Sequence, residues 1–250
     1  MVHGTNPITL NKYGRRGHYN CSTCEMILQK EIQVNAYFDT DYNDPASVAV
    51  MEEYSKIEKV YRYALREMCA KLENLDDYCS VSLSHNPIHN IESRIKTKKS
   101  IIEKIHRRGY PVTIRTLKDL IYDIAGVRVV CNYIDDIDVI IELLMQQKNL
   151  RIRLRKDYIS NPKPTGYRSV HIVFEKQMFL EDEEIWTPIE IQFRTIAMDM
   201  WASLEHELRY KSKMELSDDD KKKLKEYADK LYEIDVAMQK MYNENTKGEN

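Results

Sequence analysis

Apolar residues recur at helical spacing through the first third of the ordered pattern. Val48, Met51, Ile57, Val60, Tyr61, Ala64, Leu65, Met68 and Leu72 form one stripe, which predicts a helix ending near Leu75. Asp44-Pro45 opens it, a capping side chain followed by proline at the first helical position. Residues 80–93, with Asn86-Pro87, read as loop. Ser93 or Thr97 can cap a second helix through Ile101, Ile102 and Ile105, which Gly109 ends. A short helix over Thr116–Tyr122 leads into a strand-like run, Ile124–Cys131, and Asp135–Gln147 reads as a helix. Arg151–Ile159 alternates basic and apolar residues before an evident turn or loop, Asn161-Pro-Lys-Pro-Thr-Gly166. Tyr167–Phe174 and Trp186–Arg194 read as strands around an acidic hairpin or loop at 179–184. Thr195–Tyr210 predicts a helix with Ala197, Trp201, Leu204 and Leu208 on one face. Lys221–Tyr242 predicts a last helix carrying Tyr227, Leu231, Ile234, Met238 and Met241.

The alternation of elements is that of a mixed α/β (α+β) domain of four or five strands flanked by helices. Three segments follow: an appendage without clear periodicity at 1–44, a domain at 45–215, and a C-terminal helix within 216–250. The strands also sort chemistry onto faces. In 186–194, Ile189, Ile191 and Phe193 point one way, and Glu190, Gln192 and Arg194 the other. In 167–174, Tyr167, Ser169 and His171 share a face. A strand that turns carboxylate, amide and guanidinium to one side either faces water or lines a site.

Composition narrows the classes. The chain has 250 residues and a formal net charge of -2, which argues against a general nucleic-acid coat. No apolar run reaches the length of a membrane span. The five cysteines are an odd number in a large chain, so a reducing cytoplasm is the expectation. His18-x-x-Cys21-x-x-Cys24 has metal-like spacing but no second pair nearby, and reduced thiols are expected there. Glycine is scarce, with only Gly109, Gly126 and Gly166 between Gly17 and Gly248. The glycine-rich phosphate cradles are therefore absent, and a nucleotide would be held by side chains. Charge is clustered instead. Arg94 to Lys118 holds nine Lys/Arg against Glu103, and Arg151 to Arg168 holds six against Asp157. Two such segments in a near-neutral chain suggest a local anion site, or else a solvated helix face and a charged edge strand.

Four segments then occur together in order: Ser93-Arg-Ile-Lys96 with Ser100-Ile-Ile-Glu-Lys104; Asp123-Ile-Ala-Gly-Val-Arg128; Tyr158 through Gly166-Tyr-Arg-Ser-Val-His171; and Glu190-Ile-Gln-Phe-Arg-Thr195 with Trp201-Ala-Ser-Leu-Glu-His206. Together they resemble the RelA/SpoT-type synthetase domain, and more closely the stand-alone small alarmone synthetases of the RelQ/RelP kind, over roughly residues 55–242. The length leaves no room for an added hydrolase domain.

The resemblance implies a nucleotidyltransferase-like mixed sheet of about five strands, and transfer of the β,γ-diphosphate of ATP to the ribose 3′-OH of GDP or GTP. It implies Mg²⁺ held by Asp123 and Glu190, with Glu190 also the base for the 3′-OH. Strict alternation sets Asp123 and Arg128 on opposite faces, so a bulge, or Asp123 just before the strand, is required if both serve one site. By the same resemblance Arg94 and Arg128 sandwich adenine. Lys96, Ser100, Lys104 and Arg107 bind the ATP phosphates, and their spacing fits one helical stripe. Tyr167 stacks on guanine. Lys163 and His171 contact acceptor phosphates, assisted by Arg155 or Lys156. Gln192 touches the acceptor ribose or phosphates, and Asp199 the guanine edge. Thr165 stands where many members carry asparagine. Two other readings are a tRNA 3′-CCA pyrophosphorylating enzyme, disfavoured by the acidic 35–58 region, and a catalytically silent nucleotide-binding regulator. A homotetramer through the last helix, with an allosteric (p)ppGpp site between subunits, completes the implied picture.

Overall fold

The computed structural model of the chain describes residues 45–180, 183–211 and 216–246. The appendage at 1–44, with its His18, Cys21 and Cys24 and the Asp44 cap, lies outside those residues.

Helix α1 spans Pro45–Ser82. Its buried stripe keeps the predicted Met51, Ile57, Tyr61, Ala64, Leu65, Met68 and Leu72, adds Tyr54, leaves Val48 exposed, and continues through Leu75 and Cys79. That continuation carries the helix past its expected end. Residues 88–93, expected as loop, form most of strand β1 (Ile88–Ile95). Only Ile88 of this strand is fully buried, so no period-two signal marks the sequence, and the strand owes its order to its ladder with β2. Thr97 then caps α2 (Lys98–Arg107), its hydroxyl accepting from the Ser100 amide. Ser93 lies inside β1. Gly109, at φ +67°, turns the chain out of α2. The order continues with α3 (Ile114–Leu120), β2 (Ala125–Cys131), α4 (Ile134–Met145), β3 (Leu150–Asp157), β4 (Val170–Leu180), β5 (Glu183–Thr195), α5 (Ile196–Lys211) and α6 (Asp218–Thr246).

The five strands lie in the order β1-β2-β5-β4-β3. β2 and β5 run parallel, and the other neighbours are antiparallel. β4 and β5 pair out to Leu180 and Glu183, so the two strands form a hairpin. Ile172, Phe174, Ile189, Ile191 and Phe193 are fully buried on one face, each side chain contributing about 1.5–3 kcal/mol. Helices α1 and α4 cover that face. Lys176 of β4 meets Glu67 of α1 at 2.6 Å, and Arg155 of β3 meets Asp138 of α4 at 3.4 Å. The opposite face is left for the polar stripe.

The last two helices close one side of it. On α5 the buried residues are Met198, Trp201 and Ala202, while Leu204 and Leu208 are about half exposed at 54% and 49%. The expected face is therefore only half right, because α6 lies over Trp201 rather than along the whole predicted stripe. Ala228 of α6 packs on Trp201, and the Trp201 indole donates to Leu224 O at 3.0 Å. Farther along α6, Tyr242 stacks on Tyr133 at 4.5 Å and its hydroxyl lies 2.5 Å from His85 Nδ1. His85 Nε2 in turn meets Asp136 at 2.7 Å.

Candidate active site

Register brings the polar side chains into two rungs across the sheet. One rung reads Leu154, Val173, Glu190, Gly126, Arg94 and the next Lys156, His171, Gln192, Arg128, Glu92. Residues opposed across neighbouring strands share a face. Arg94, Arg128, Glu190, Gln192, His171 and Lys156 thus stand together on the side away from α1 and α4. Arg155 pairs with Ile172 and points to the covered face, where Asp138 holds it. Of the two assisting residues expected, the structure brings Lys156 to the site and does not bring Arg155. A Cβ on Gly126 would meet nothing nearer than Glu190 O at 3.8 Å. Close packing is thus not the constraint on this glycine, and it leaves the sheet floor bare beside Glu190.

Asp123 sits in the turn before β2, which resolves the alternation problem without a bulge. Two ammonium groups converge on its Oδ2, Lys96 at 2.9 Å and Lys104 at 2.7 Å. Lys104 comes from α2, but Lys96 leaves the end of β1, its amide bonded to Ile124 O at 2.8 Å. The single helical stripe expected for Lys96, Ser100, Lys104 and Arg107 is thus replaced by convergence from a strand end and a helix. Ser100 is engaged in the Thr97 cap, and Arg107 is exposed at the end of α2. Burial pushes the Asp123 carboxyl up, but hydrogen bonds and charge from Lys104 and Lys96 outweigh it and hold the group down at about 2. Burial draws Lys104 down in spite of Asp123, and neighbouring Lys96 and Arg108 add to the fall.

Glu190 receives a hydrogen bond from the Gln192 amide at 2.8 Å, and its other oxygen lies 3.6 Å from His171 Nδ1. Burial raises this carboxyl. His171 and Gln192 more than compensate, Asp123 opposes them, and the net position is below the ordinary glutamate value. Glu190 is thus an ionised acceptor at neutral pH.

Beyond Glu190 lies an aromatic and cationic cluster. Tyr167 and Ser169 precede β4 rather than forming its first residues. The Ser169 hydroxyl ties this segment to Phe193 O at 2.9 Å. Lys163 Nζ rests 4.5 Å from the Tyr167 ring and 4.7 Å from the Tyr158 ring. The Tyr167 hydroxyl touches His171 Nε2 at 2.7 Å and accepts from Arg194 at 2.8 Å. Arg194 also donates to Asp199 Oδ1 at 2.9 Å, and Arg128 Nε lies 3.2 Å from that oxygen.

Residues 93–215 match the family profile described as "Region found in RelA / SpoT proteins". The chain is 40% identical over 189 residues to the GTP pyrophosphokinase YwaC of Bacillus subtilis (strain 168), covering 76% of this chain and 90% of that one. This protein belongs to the RelA/SpoT family. The GTP pyrophosphokinase YjbM of the same organism is 33% identical over 185 residues, covering 74% of this chain and 86% of that one. Among solved structures, small alarmone synthetase 1 from Bacillus subtilis bound to its product pppGpp superposes with a TM-score of 0.71 at 30% identity. That match covers 77% of this chain and 98% of that one. The mixed five-stranded fold is that of the small alarmone synthetases in this family.

Two groups in the site carried no expected role. Arg194 stood on the polar face of its strand, but nothing in alternation says that it is 5% exposed and bonded on several sides. Tyr158 was read only within the alternating segment Arg151–Ile159 and the third motif, with no role of its own, although its ring flanks Lys163. Among the described residues no helix is long and apolar enough to cross a membrane.

Proposed function

We propose that this protein transfers the β,γ-diphosphate of ATP to the ribose 3′-OH of GDP or GTP, giving AMP and (p)ppGpp, the alarmone of the stringent response. The carrying observation is the pair of rungs. On them Glu190 lies between Arg94 and Arg128 to one side and Lys156 and His171 to the other, with Lys96 and Lys104 beside the first pair and Lys163 and Tyr167 beside the second, which supports reading the first side as the donor's and the second as the acceptor's. Pyrophosphoryl transfer asks the protein mainly for positioning and charge neutralisation.

In this reading the guanidinium planes of Arg94 and Arg128 hold adenine, and Lys96, Lys104, Ser100 and Arg107 bind the ATP phosphates. The Tyr167 ring takes guanine once Lys163 moves from its face toward the acceptor phosphates, which Lys156 and His171 also reach. Gln192 contacts the acceptor ribose or phosphates, and Asp199 the guanine edge. Glu190, ionised, accepts the proton of the 3′-OH.

The donor set fits Mg²⁺. Asp123 Oδ1 is buried with no hydrogen-bond partner, an open acceptor beside a second carboxylate, Glu190. Among the described residues no cluster of three or more His, Cys, Asp or Glu could cage a metal, so Asp123 and Glu190 would share the ion with nucleotide phosphates and water, the usual Mg²⁺ arrangement. When bound, Mg²⁺ supplies charge neutralisation on the transferred phosphates.

The tRNA-acceptor alternative finds no support, since the two relatives named above are GTP pyrophosphokinases. Thin-layer analysis of labelled ATP with GDP, GTP, GMP or deacylated tRNA tests the reading. Label is expected on GDP and GTP and is lost in Glu190→Gln and Tyr167→Ala. Label on tRNA alone would overturn it.

The same proposal includes a homotetramer in the cytoplasm, with residues 216–250 as the assembly element and an alarmone site between subunits. On α6, Tyr227, Ile234, Met238 and Met241 are each about half exposed, between 49% and 57%, a stripe suited to helix packing. Light scattering that finds a monomer at micromolar concentration would refute the assembly.

A further inference from the structure

Arg194 is buried among acceptors of different kinds. Both protons of its Nη2 are used, one on Tyr167 Oη and one on Gln192 Oε1, each at 2.8 Å. Nη1 donates to Asp199 Oδ1 at 2.9 Å, which supplies the counter-charge a buried guanidinium needs. A guanidinium can only donate, so Tyr167 Oη and Gln192 Oε1 are both acceptors toward it.

The first arm runs through Tyr167. Its oxygen accepts from Arg194, so its own proton is free for His171 Nε2, 2.7 Å away. An Nε2 that accepts leaves the imidazole proton on Nδ1, and Nδ1 is the nitrogen that faces Glu190 Oε1 at 3.6 Å. The second arm runs through Gln192. Its oxygen is taken by Arg194, so its NH₂ is presented to Glu190 Oε2 at 2.8 Å. Both arms end with a donor aimed at one carboxylate.

We propose that Arg194 is a positioning residue whose Nη2 sets the direction of two hydrogen-bonded arms, through Tyr167–His171 and through Gln192, that converge on the two oxygens of Glu190. The inference rests on the function proposed above for its claim that Tyr167 carries the acceptor base and Glu190 faces the attacking hydroxyl. On that basis one buried side chain holds the acceptor's stacking ring and the carboxylate in a fixed mutual position. Lysine at position 194 keeps the charge beside Asp199 but presents its donors from a single atom, and cannot span both arms.

Two measurements test this. The first is a kinetic cycle in diphosphate transfer to GDP with wild type, Arg194→Lys, Tyr167→Phe and the double variant. Tyr167→Phe keeps the ring and cuts only the first arm; it takes one acceptor from the buried Arg194, whose charge stays paired with Asp199. Its kcat is expected to fall ~10-fold with the KM for GDP within about 3-fold of wild type. Arg194→Lys is expected to lose more kcat, with the KM for ATP within about 3-fold of wild type, and the double variant to be no worse than Arg194→Lys alone. Losses that multiply, or a fall confined to the KM for GDP, would overturn the coupling.

The second is ¹⁵N NMR of the imidazoles in the unliganded protein, with His171 assigned by difference from His171→Asn. The Nδ1–H tautomer is expected, and an Nε2–H tautomer would overturn the proposal. This spectrum needs no turnover. Wild type that moves no label to GDP or GTP would refute the proposed function, whereas an active wild type with multiplicative variants would refute only the role of Arg194.

Discussion

At Gly166 the acceptor loop and the last helix approach closely, and Gly166→Ala is the perturbation that tests their connection. The residue has φ +89°, and a Cβ built there would lie 2.5 Å from the Cβ of Ala228. The left-handed conformation costs an L-residue about 1–2 kcal/mol. Carbon atoms at rest sit about 3.5–4.0 Å apart, so the loop must withdraw by ~1 Å or more. Sideways retreat is blocked, because Lys225 Cα and O already stand at 3.4 and 3.5 Å from the same point. Overpacking of this kind typically costs about 1–3 kcal/mol. The docked loop thus loses at least ~2 kcal/mol, which is ~30-fold in a binding equilibrium. Since Tyr167 follows directly, the KM for GDP or GTP is expected to rise by that factor or more. The KM for ATP should stay near wild type, because the donor-side residues Arg94, Lys96, Lys104 and Arg128 lie on other elements. The assay is steady-state transfer with each nucleotide varied in turn. Adding Ala228→Gly removes the atom in collision but not the backbone strain, so the double variant should recover part of the loss, although a helix-interior glycine costs about 1 kcal/mol of its own. A KM for GDP within twofold of wild type in Gly166→Ala, or no recovery in the double variant, would refute the reasoning.

Three further outcomes are expected. Lys156→Ala should raise the KM for GDP by ~10-fold, the cost of one charge-assisted contact, whereas Arg155→Ala, whose side chain faces Asp138 on the covered side, should leave acceptor kinetics unchanged. Burial raises the Asp235 carboxyl against the pull of Thr195, so the native state holds its proton more firmly than the unfolded chain and loses stability as pH rises through the native value. Asp235→Asn should therefore raise the Tm at pH 7, with the gain vanishing below the unfolded carboxyl value of about 3.9; an unchanged Tm at pH 7 would count against it. Tyr242→Phe keeps the stack on Tyr133 but removes the contact to His85, and should lower stability by ~1 kcal/mol in urea titration without altering the KM for either nucleotide.

Elements whose side chains alternate between core and solvent were legible in the sequence, and the exceptions have physical reasons. Ile189, Ile191 and Phe193 announced both β5 and its polar opposite face, and all three are fully buried. β1 did not announce itself, because an edge strand with Ile88 as its only fully buried residue has nothing to alternate. That omission also hid how Lys96 reaches Asp123, since a strand end and a helix can converge on one carboxylate where a single helix offers parallel side chains. Arg155 and Lys156 are adjacent and chemically alike, and only the register with Ile172 and His171 separates them. Arg194 was assigned to the right face with no role, because a buried arginine and an exposed one follow the same period. Tyr167 and Glu190 were legible as chemistry through family resemblance, but their connection through hydrogen-bond direction is a property of distances alone.

The parallel seam between β2 and β5 has a consequence for how such an enzyme can change. In chain order, the groups proposed to hold the donor nucleotide run from Arg94 to Arg128. Those proposed for the acceptor begin only after the crossover through α4 and run from Lys156 to Asp199. The two carboxylates sit on either side of the seam, one contributed by each half. Cys131, the last residue of β2, pairs with Thr195 at the end of β5, so a recombination point just beyond it separates the halves without cutting a strand. The chain can thus be treated as two cassettes sharing one seam. Exchange of the later cassette between relatives offers a route to a new acceptor range that leaves the use of ATP intact.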